Sequence, residues 1–237
     1  NVDASGINIS GNDAERAGGG IEHNSANTLT LDNVTLNNND ALGTDATAPG
    51  NGGALHITGS ADSNITGATV NGNTAAEEGG GLWNGTGTMT VDASSVTGNT
   101  AGTTGGGIHN EGTLDILNGS SISGNNAGTD GGGIYSESTL TVDNVTVASN
   151  TASGAGATNG GGGIFNAGGG VVNLNNSANV TNNTADGTLG SGGGILNMGT
   201  LNVDASGINI SGNDAERAGG GIEENSGYYP YSESNRS

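Results

Sequence analysis

The stretch that decides the fold reads Val96-Thr97-Gly98-Asn99-Thr100-Ala101-Gly102-Thr103-Thr104-Gly105-Gly106-Gly107-Ile108. It joins two short boxes, and both recur along the chain. The first is aliphatic-x-x-Asn-x-Ala, here Val96 to Ala101; its Asn residues are Asn12, Asn39, Asn73, Asn99, Asn125, Asn150, Asn183 and Asn213. The second is Gly-Gly-(Gly/Ala)-(Ile/Leu). Its aliphatic residues are Ile21, Leu55, Leu82, Ile108, Ile134, Ile164, Ile195 and Ile222, at steps of 34, 27, 26, 26, 30, 31 and 27 residues. From a Gly-box aliphatic to the next Asn is always 16 to 19 residues. From an Asn to the next Gly-box aliphatic is nine residues in five repeats, but 16 after Asn39, 14 after Asn150 and 12 after Asn183. Length variation is confined to one corner, as in a solenoid whose loops emerge on one edge.

Between the boxes the pattern is strand-like. Thr139-Leu140-Thr141-Val142 and Thr28-Leu29-Thr30-Leu31 alternate with period two, and no segment has the 3.6-residue period of an amphipathic helix. Gly, Asn and Asp clusters supply the turns. The expected fold is all-β, a right-handed parallel β-helix of about eight coils of 26–34 residues, each adding about 4.8 Å to a rod about 40 Å long. It would span residues 1–226 and leave an aromatic C-terminal tail, 227–237. The repeated Asn is expected to hydrogen-bond its twin one coil away.

Composition narrows function. The chain has 237 residues, 50 of them Gly, no Cys, 3% aromatics and a net charge of -20. Without Cys there is neither a disulfide framework nor a thiolate metal site. A strongly acidic chain repels phosphate, so nucleic acid is an unexpected partner. No apolar run is long enough to insert in a membrane.

The paired boxes resemble the repeats of polymorphic outer-membrane proteins, and more broadly those of autotransporter passengers and other pectate-lyase-like solenoids. Members of that family carry Phe-x-x-Asn and Gly-Gly-Ala-aliphatic. Here the Phe is always replaced by an aliphatic residue, and only Gly52-Gly53-Ala54-Leu55 keeps the Ala. The resemblance implies an extracellular or cell-surface protein that acts in adhesion or forms surface structures. Enzymes of this fold use clustered Asp with a basic residue, or Asp with His. This chain has no Lys, its Arg are Arg16, Arg217 and Arg236, and its His are His23, His56 and His109 without acidic neighbours in a matching motif. No enzyme activity is expected.

Stacking turns repeat positions into columns. The residue after each Gly-box aliphatic reads Glu22, His56, Trp83, His109, Tyr135, Phe165, Leu196, Glu223. Strand alternation points it outward, which predicts an exposed aromatic stripe at His56, Trp83, His109, Tyr135, Phe165 and Leu196. Tyr228, Tyr229 and Tyr231 add a second aromatic group in the tail. The stripe is either covered by a loop or tail of the same chain, or it is an interface for another protomer or a polysaccharide. A second column, Asp3, Asp32, Asp92, Asp143 and Asp204 with Asn175 in the equivalent place, either caps turn N–H groups or binds Ca²⁺. No other cofactor is expected.

Residues 1–22 recur without change at 202–223. The chain is then a window on an array with a 201-residue super-repeat, or carries an added end segment, or has one end copied from the other. Coil ends with unpaired backbone groups invite further strands, and head-to-tail addition does not close. The expected function is therefore a non-catalytic fibre subunit or adhesin stalk that self-associates through open ends, stripe or tail, with neighbouring repeats as partners. The alternative is an adhesin module that binds carbohydrate or a host surface through the stripe.

Overall fold

A computed structural model describes residues 2–3, 6–44, 49–204 and 207–225. These form a parallel β-solenoid of eight coils, with no helix among the described residues. Each coil contributes one strand to each of four eight-stranded sheets. In the fourth coil the strands are Thr88–Asp92, Ser95–Thr97, Thr100–Ala101 and Ile108–Asn110. We call the sheets that contain these strands the long, middle, short and Gly-box sheets. Every strand pairs in parallel with its equivalent one coil away, and residues of the same box position stand opposite each other. Val96 lies opposite Val70 and Ile122 in the middle sheet. Ala101 lies opposite Ala75 and Ala127 in the short sheet.

Side chains that alternate along the strands place one inward set per coil. In the coil that follows, Leu114, Ile116, Ile122, Ala127 and Ile134 are all fully buried. Their equivalents stack into aliphatic columns that form the core. Each such Leu or Ile removed from water contributes about 1.5–3 kcal/mol, so the rod needs few aromatics. At the two ends the columns have a neighbour on one side only, and Ile7, Ile9, Ile21, Leu201, Ile208 and Ile210 are only partly buried.

Corners follow from the boxes. The residue before each repeated Asn is always left-handed, whether Gly11, Asn38, Gly72, Gly98, Gly124, Ser149, Asn182 or Gly212. Gly, Asn and small polar residues accept that conformation most readily. The repeated Asn then turns into the core. Asn99 donates from its backbone N–H (3.0 Å) and its amide (3.0 Å) to Asn125 Oδ1, and from the amide to the Val70 carbonyl (3.1 Å). Its own Oδ1 accepts from Asn73 N–H (3.0 Å) and Asn73 Nδ2 (2.8 Å). Both amide protons and both acceptor sites are used, which is the full capacity of the side chain. The same pattern links Asn39, Asn125, Asn150 and Asn183. The expected twin-to-twin bonding is present in every coil.

The Gly box also has a position-by-position cause. Its first residue has positive φ, as in Gly79 (65°) and Gly105 (65°). At the second, a Cβ on Gly80 would collide with the Gly106 carbonyl oxygen of the next coil. At the third, a Cβ on Gly81 would lie 2.8 Å from the Gly107 carbonyl oxygen and 3.1 Å from the Asn99 amide nitrogen, a milder overlap than at the second position. That is why Ala54 occurs at the third position and never at the other two.

Candidate functional site

The column after the Gly-box aliphatic is one continuous ladder of rings. His56 stacks on Trp83 with centroids 4.3 Å apart, Trp83 on His109 at 5.9 Å, His109 on Tyr135 at 5.0 Å and Tyr135 on Phe165 at 5.0 Å. Interplanar angles are 4–16°. Strand register causes this directly, because Trp83 lies opposite His56 and His109, and Tyr135 opposite His109 and Phe165. Each aromatic contact contributes about 0.5–1.5 kcal/mol beyond the area it buries.

The stripe is not open to solvent as strand alternation led us to expect. Relative exposure is 7% for His56, 8% for Trp83, 2% for His109, 5% for Phe165 and 0% for Leu196. Tyr135 alone is half-buried. Two features close it. Each ring covers the face of its neighbours. In addition, the tight Gly turn folds the residue four positions before each box aliphatic back beside the stripe. This flanking position holds Asn51, Glu78, Thr104, Asp130, Gly160 and Ser191. Thr104 pairs with Asp130, and Gly160 with Ser191, across coils. Tyr228, Tyr229 and Tyr231 lie outside the described residues.

Glu78 is the polar centre of this corner. Its Oε2 accepts from Trp83 Nε1 (3.1 Å) and from Asn51 Nδ2 (3.1 Å), and stands 3.8 Å from His109 Nε2. Thr104 Oγ1 is 2.9 Å from His109 Nδ1, and Thr58 Oγ1 is 3.2 Å from His56 Nδ1. Both imidazoles are held neutral. Burial, reinforced by the positive Arg16 and by His109, lowers His56 to about 4. Burial also lowers His109 to about 4, against the opposing pull of Glu137. Desolvation pushes the Tyr135 phenol upward, with Glu137, Asp130 and Glu78 adding to it. Desolvation likewise raises Glu111, with Glu137 and Glu78 contributing. Asp130 is raised by burial although Gly160 N–H (2.8 Å) and Asn159 Nδ2 (2.9 and 3.0 Å) donate to it.

The Asp column is less continuous than its sequence spacing suggests. Asp3 stands opposite Asp32, but Asp32 faces Thr66, Thr66 faces Asp92, and Asp92 faces Leu117. Asp143 faces Asn175. The carboxylates of the column accept from side chains of left-handed Asn residues: Asn33 to Asp32 (2.8 Å), Asn118 to Asp92 (2.8 Å) and Asn176 to Asp143 (3.0 and 3.1 Å). Asp204 donates its backbone N–H to the Leu174 carbonyl, and the side chain of Asp3 is outside the described set. Among the described residues no cluster of three or more His, Asp or Glu could hold a metal ion.

A further surface feature escaped the reading of the sequence. The outward residues of the middle sheet form two rows, Thr35, Thr69, Ser95, Ser121 and Thr146 beside Asn37, Asn71, Thr97, Ser123 and Ala148. They carry no charge in a chain of net charge -20. The signal was available: these residues flank the aliphatic of each Asn box. The face offers hydroxyl and amide groups, and nothing that titrates. No family model, no curated protein and no solved structure matches this chain.

Proposed function

We propose that the chain is a non-catalytic structural element, a β-solenoid segment of an extracellular surface fibre or adhesin stalk that associates with further copies through its coil edges. The observation that carries this reading is where the polar chemistry goes. The repeated Asn, the ring-column His and the buried corner carboxylates are spent on bonds to neighbouring coils or to their own corner. Those are the groups an active site would need free. At the same time Leu42 (53%), Leu189 (45%), Val203 (47%) and Ile222 (38%) are exposed apolar side chains, available for contact with another copy. High negative charge keeps such rods soluble and apart along their sides, which leaves their edges as the favoured contact. Sugar stacking on the aromatic column is disfavoured, because the ring faces are occupied by other rings.

Sedimentation over a hundredfold range of concentration tests the proposal. Association that strengthens with salt, as repulsion between acidic rods is screened, is the expected result. A compact monomer at every concentration and salt would contradict it.

A further inference from the structure

We infer that the ring column is a one-electron relay: an electron taken from Trp83 by an oxidising radical is replaced from Tyr135, across the stacked imidazole of His109. This activity goes beyond the structural role proposed above and does not depend on it.

The aromatic residues of the chain are concentrated here. It has one Trp, one Phe and four Tyr, and this column holds the Trp, the Phe and one Tyr. Packing does not require rings at this position, because Leu196 continues the same column one coil on and is fully buried. Of the five stacked rings, only the indole and the phenol give up an electron readily; imidazole and benzene rings are much harder to oxidise. His56 and Phe165 therefore bound the path. His109 lies between its two ends, 5.9 Å from Trp83 and 5.0 Å from Tyr135, with interplanar angles of 4° and 16°. Burial holds His109 neutral, its pKa lowered to about 4, so no fixed positive charge between the two rings opposes the electron vacancy. Every coil that carries one of these rings has a coil on both sides, so the path is internal to the rod.

Oxidised indole and phenol are both strong acids, so each needs a proton acceptor within hydrogen-bond reach, and each has one. Trp83 Nε1–H donates to Glu78 Oε2 (3.1 Å), and the Tyr135 O–H donates to Glu137 Oε1 (3.4 Å). Burial and the nearby carboxylates push the Tyr135 phenol pKa up, so the resting ring keeps its proton until it is oxidised. The steps balance. A diffusing one-electron oxidising radical takes an electron from Trp83, and the indole N–H proton moves to Glu78. Tyr135 then passes one electron to the neutral indolyl radical. The Tyr135 O–H proton moves to Glu137, and Glu78 returns its proton to the indole nitrogen. The phenoxyl radical is left on the one ring of the column that is only half-buried. There a dissolved reductant, ascorbate or a thiol, restores the electron, and the solvent-exposed Glu137 restores the proton. The net change is one electron moved from reductant to oxidant, with the rod unaltered.

Pulse radiolysis of the full chain in azide solution tests the relay. The azide radical oxidises indole in preference to phenol at neutral pH, and Trp83 is the only indole. Indolyl and phenoxyl radicals absorb in separate bands, so each can be followed. The relay predicts a first-order conversion of indolyl to phenoxyl radical at a rate independent of protein concentration. Tyr135→Phe keeps the ring and its stacking but removes the phenol, and should lengthen the indolyl lifetime by at least an order of magnitude. His109→Leu places in the column the residue type that it already holds at Leu196, and should slow the conversion by a comparable factor with Tyr135 intact. Circular dichroism first confirms that each variant keeps the parental strand signal. An indolyl lifetime unchanged in Tyr135→Phe would overturn the proposal, because the electron then comes from another donor, such as the tail tyrosines. A conversion lost in Tyr135→Phe but unchanged in His109→Leu would overturn the path across the imidazole. A rate proportional to protein concentration would overturn an internal relay altogether.

Discussion

Asn99→Ala is the sharpest test of what holds the coils in register. Asn99 is fully buried, and its side chain joins three consecutive coils. Truncation leaves the Asn73 backbone N–H and one Asn73 amide proton without their acceptor at Asn99 Oδ1, and removes the amide that reaches the Val70 carbonyl. Asn125 Oδ1 keeps the Asn99 backbone N–H and loses the amide donor. Each buried polar group left without a partner costs about 1–3 kcal/mol. Two orphaned donors, with a small cavity added, give a loss of about 3–5 kcal/mol. For a chain of this size that lowers the unfolding midpoint by about 6–20 °C. Thermal and guanidinium unfolding followed by circular dichroism would measure it, with exposed Asn64→Ala as the control, where the change should stay within about 0.5 kcal/mol. Asn12→Ala, at the end of the ladder with only its two donor bonds to Asn39, should fall between them. A loss at Asn99 no larger than at Asn64 would refute the claim that the ladder, and not merely the aliphatic columns, fixes the stack.

Gly80→Ala should be severely destabilising or prevent folding, and Gly81→Ala should cost less, since a methyl on Gly80 would collide with the Gly106 carbonyl and the Thr100 backbone together, whereas one on Gly81 would meet a single backbone atom, the Gly107 carbonyl oxygen, at 2.8 Å; equal losses in unfolding experiments would contradict the position-by-position account of the box. Stability should fall as pH drops from about 6.5 toward 4. His56 and His109 are lowered to about 4 in the folded protein, so the unfolded state binds protons first and each His withdraws up to about 3 kcal/mol across that window. Glu111 and Asp130, both raised by burial, act in the opposite sense. The variant His56→Phe/His109→Phe should flatten most of the acid loss, and an unchanged pH profile would show that the two rings are not held neutral. Trp83, the only Trp, should emit at short wavelength and shift red on unfolding, and Trp83→Ala should cost about 3–5 kcal/mol; a solvent-exposed emission maximum in the folded protein would contradict the closed ring column.

The architecture was legible because its cause is periodic. Asn99 and Gly106 have equivalents in every repeat, so one reading of one stretch gave the coil count, the loop corner and the parallel stacking. The division of each coil into four sheets was less visible, since a strand as short as Thr100–Ala101 leaves no alternation to read. The aromatic column was placed correctly in register but not in exposure. Alternation says that Trp83 points away from Leu82; it does not say that Gly79 turns the chain sharply enough to set Glu78 against the indole. The Asp column shows the converse limit. Asp32, Asp92 and Asp143 share a repeat position, yet Thr66 and Leu117 hold that position in the coils between. Which Asn meets which carboxylate depends on left-handed corner residues such as Asn118 and Asn176, whose conformation the sequence allows but does not announce.

Electron microscopy of the purified chain over a range of concentrations addresses the central claim most directly. Filaments much longer than a single rod, at a rise of about 4.8 Å per coil, are the result the account predicts. Isolated rods about 40 Å long at every concentration would contradict the assembly account and leave a monomeric solenoid in its place.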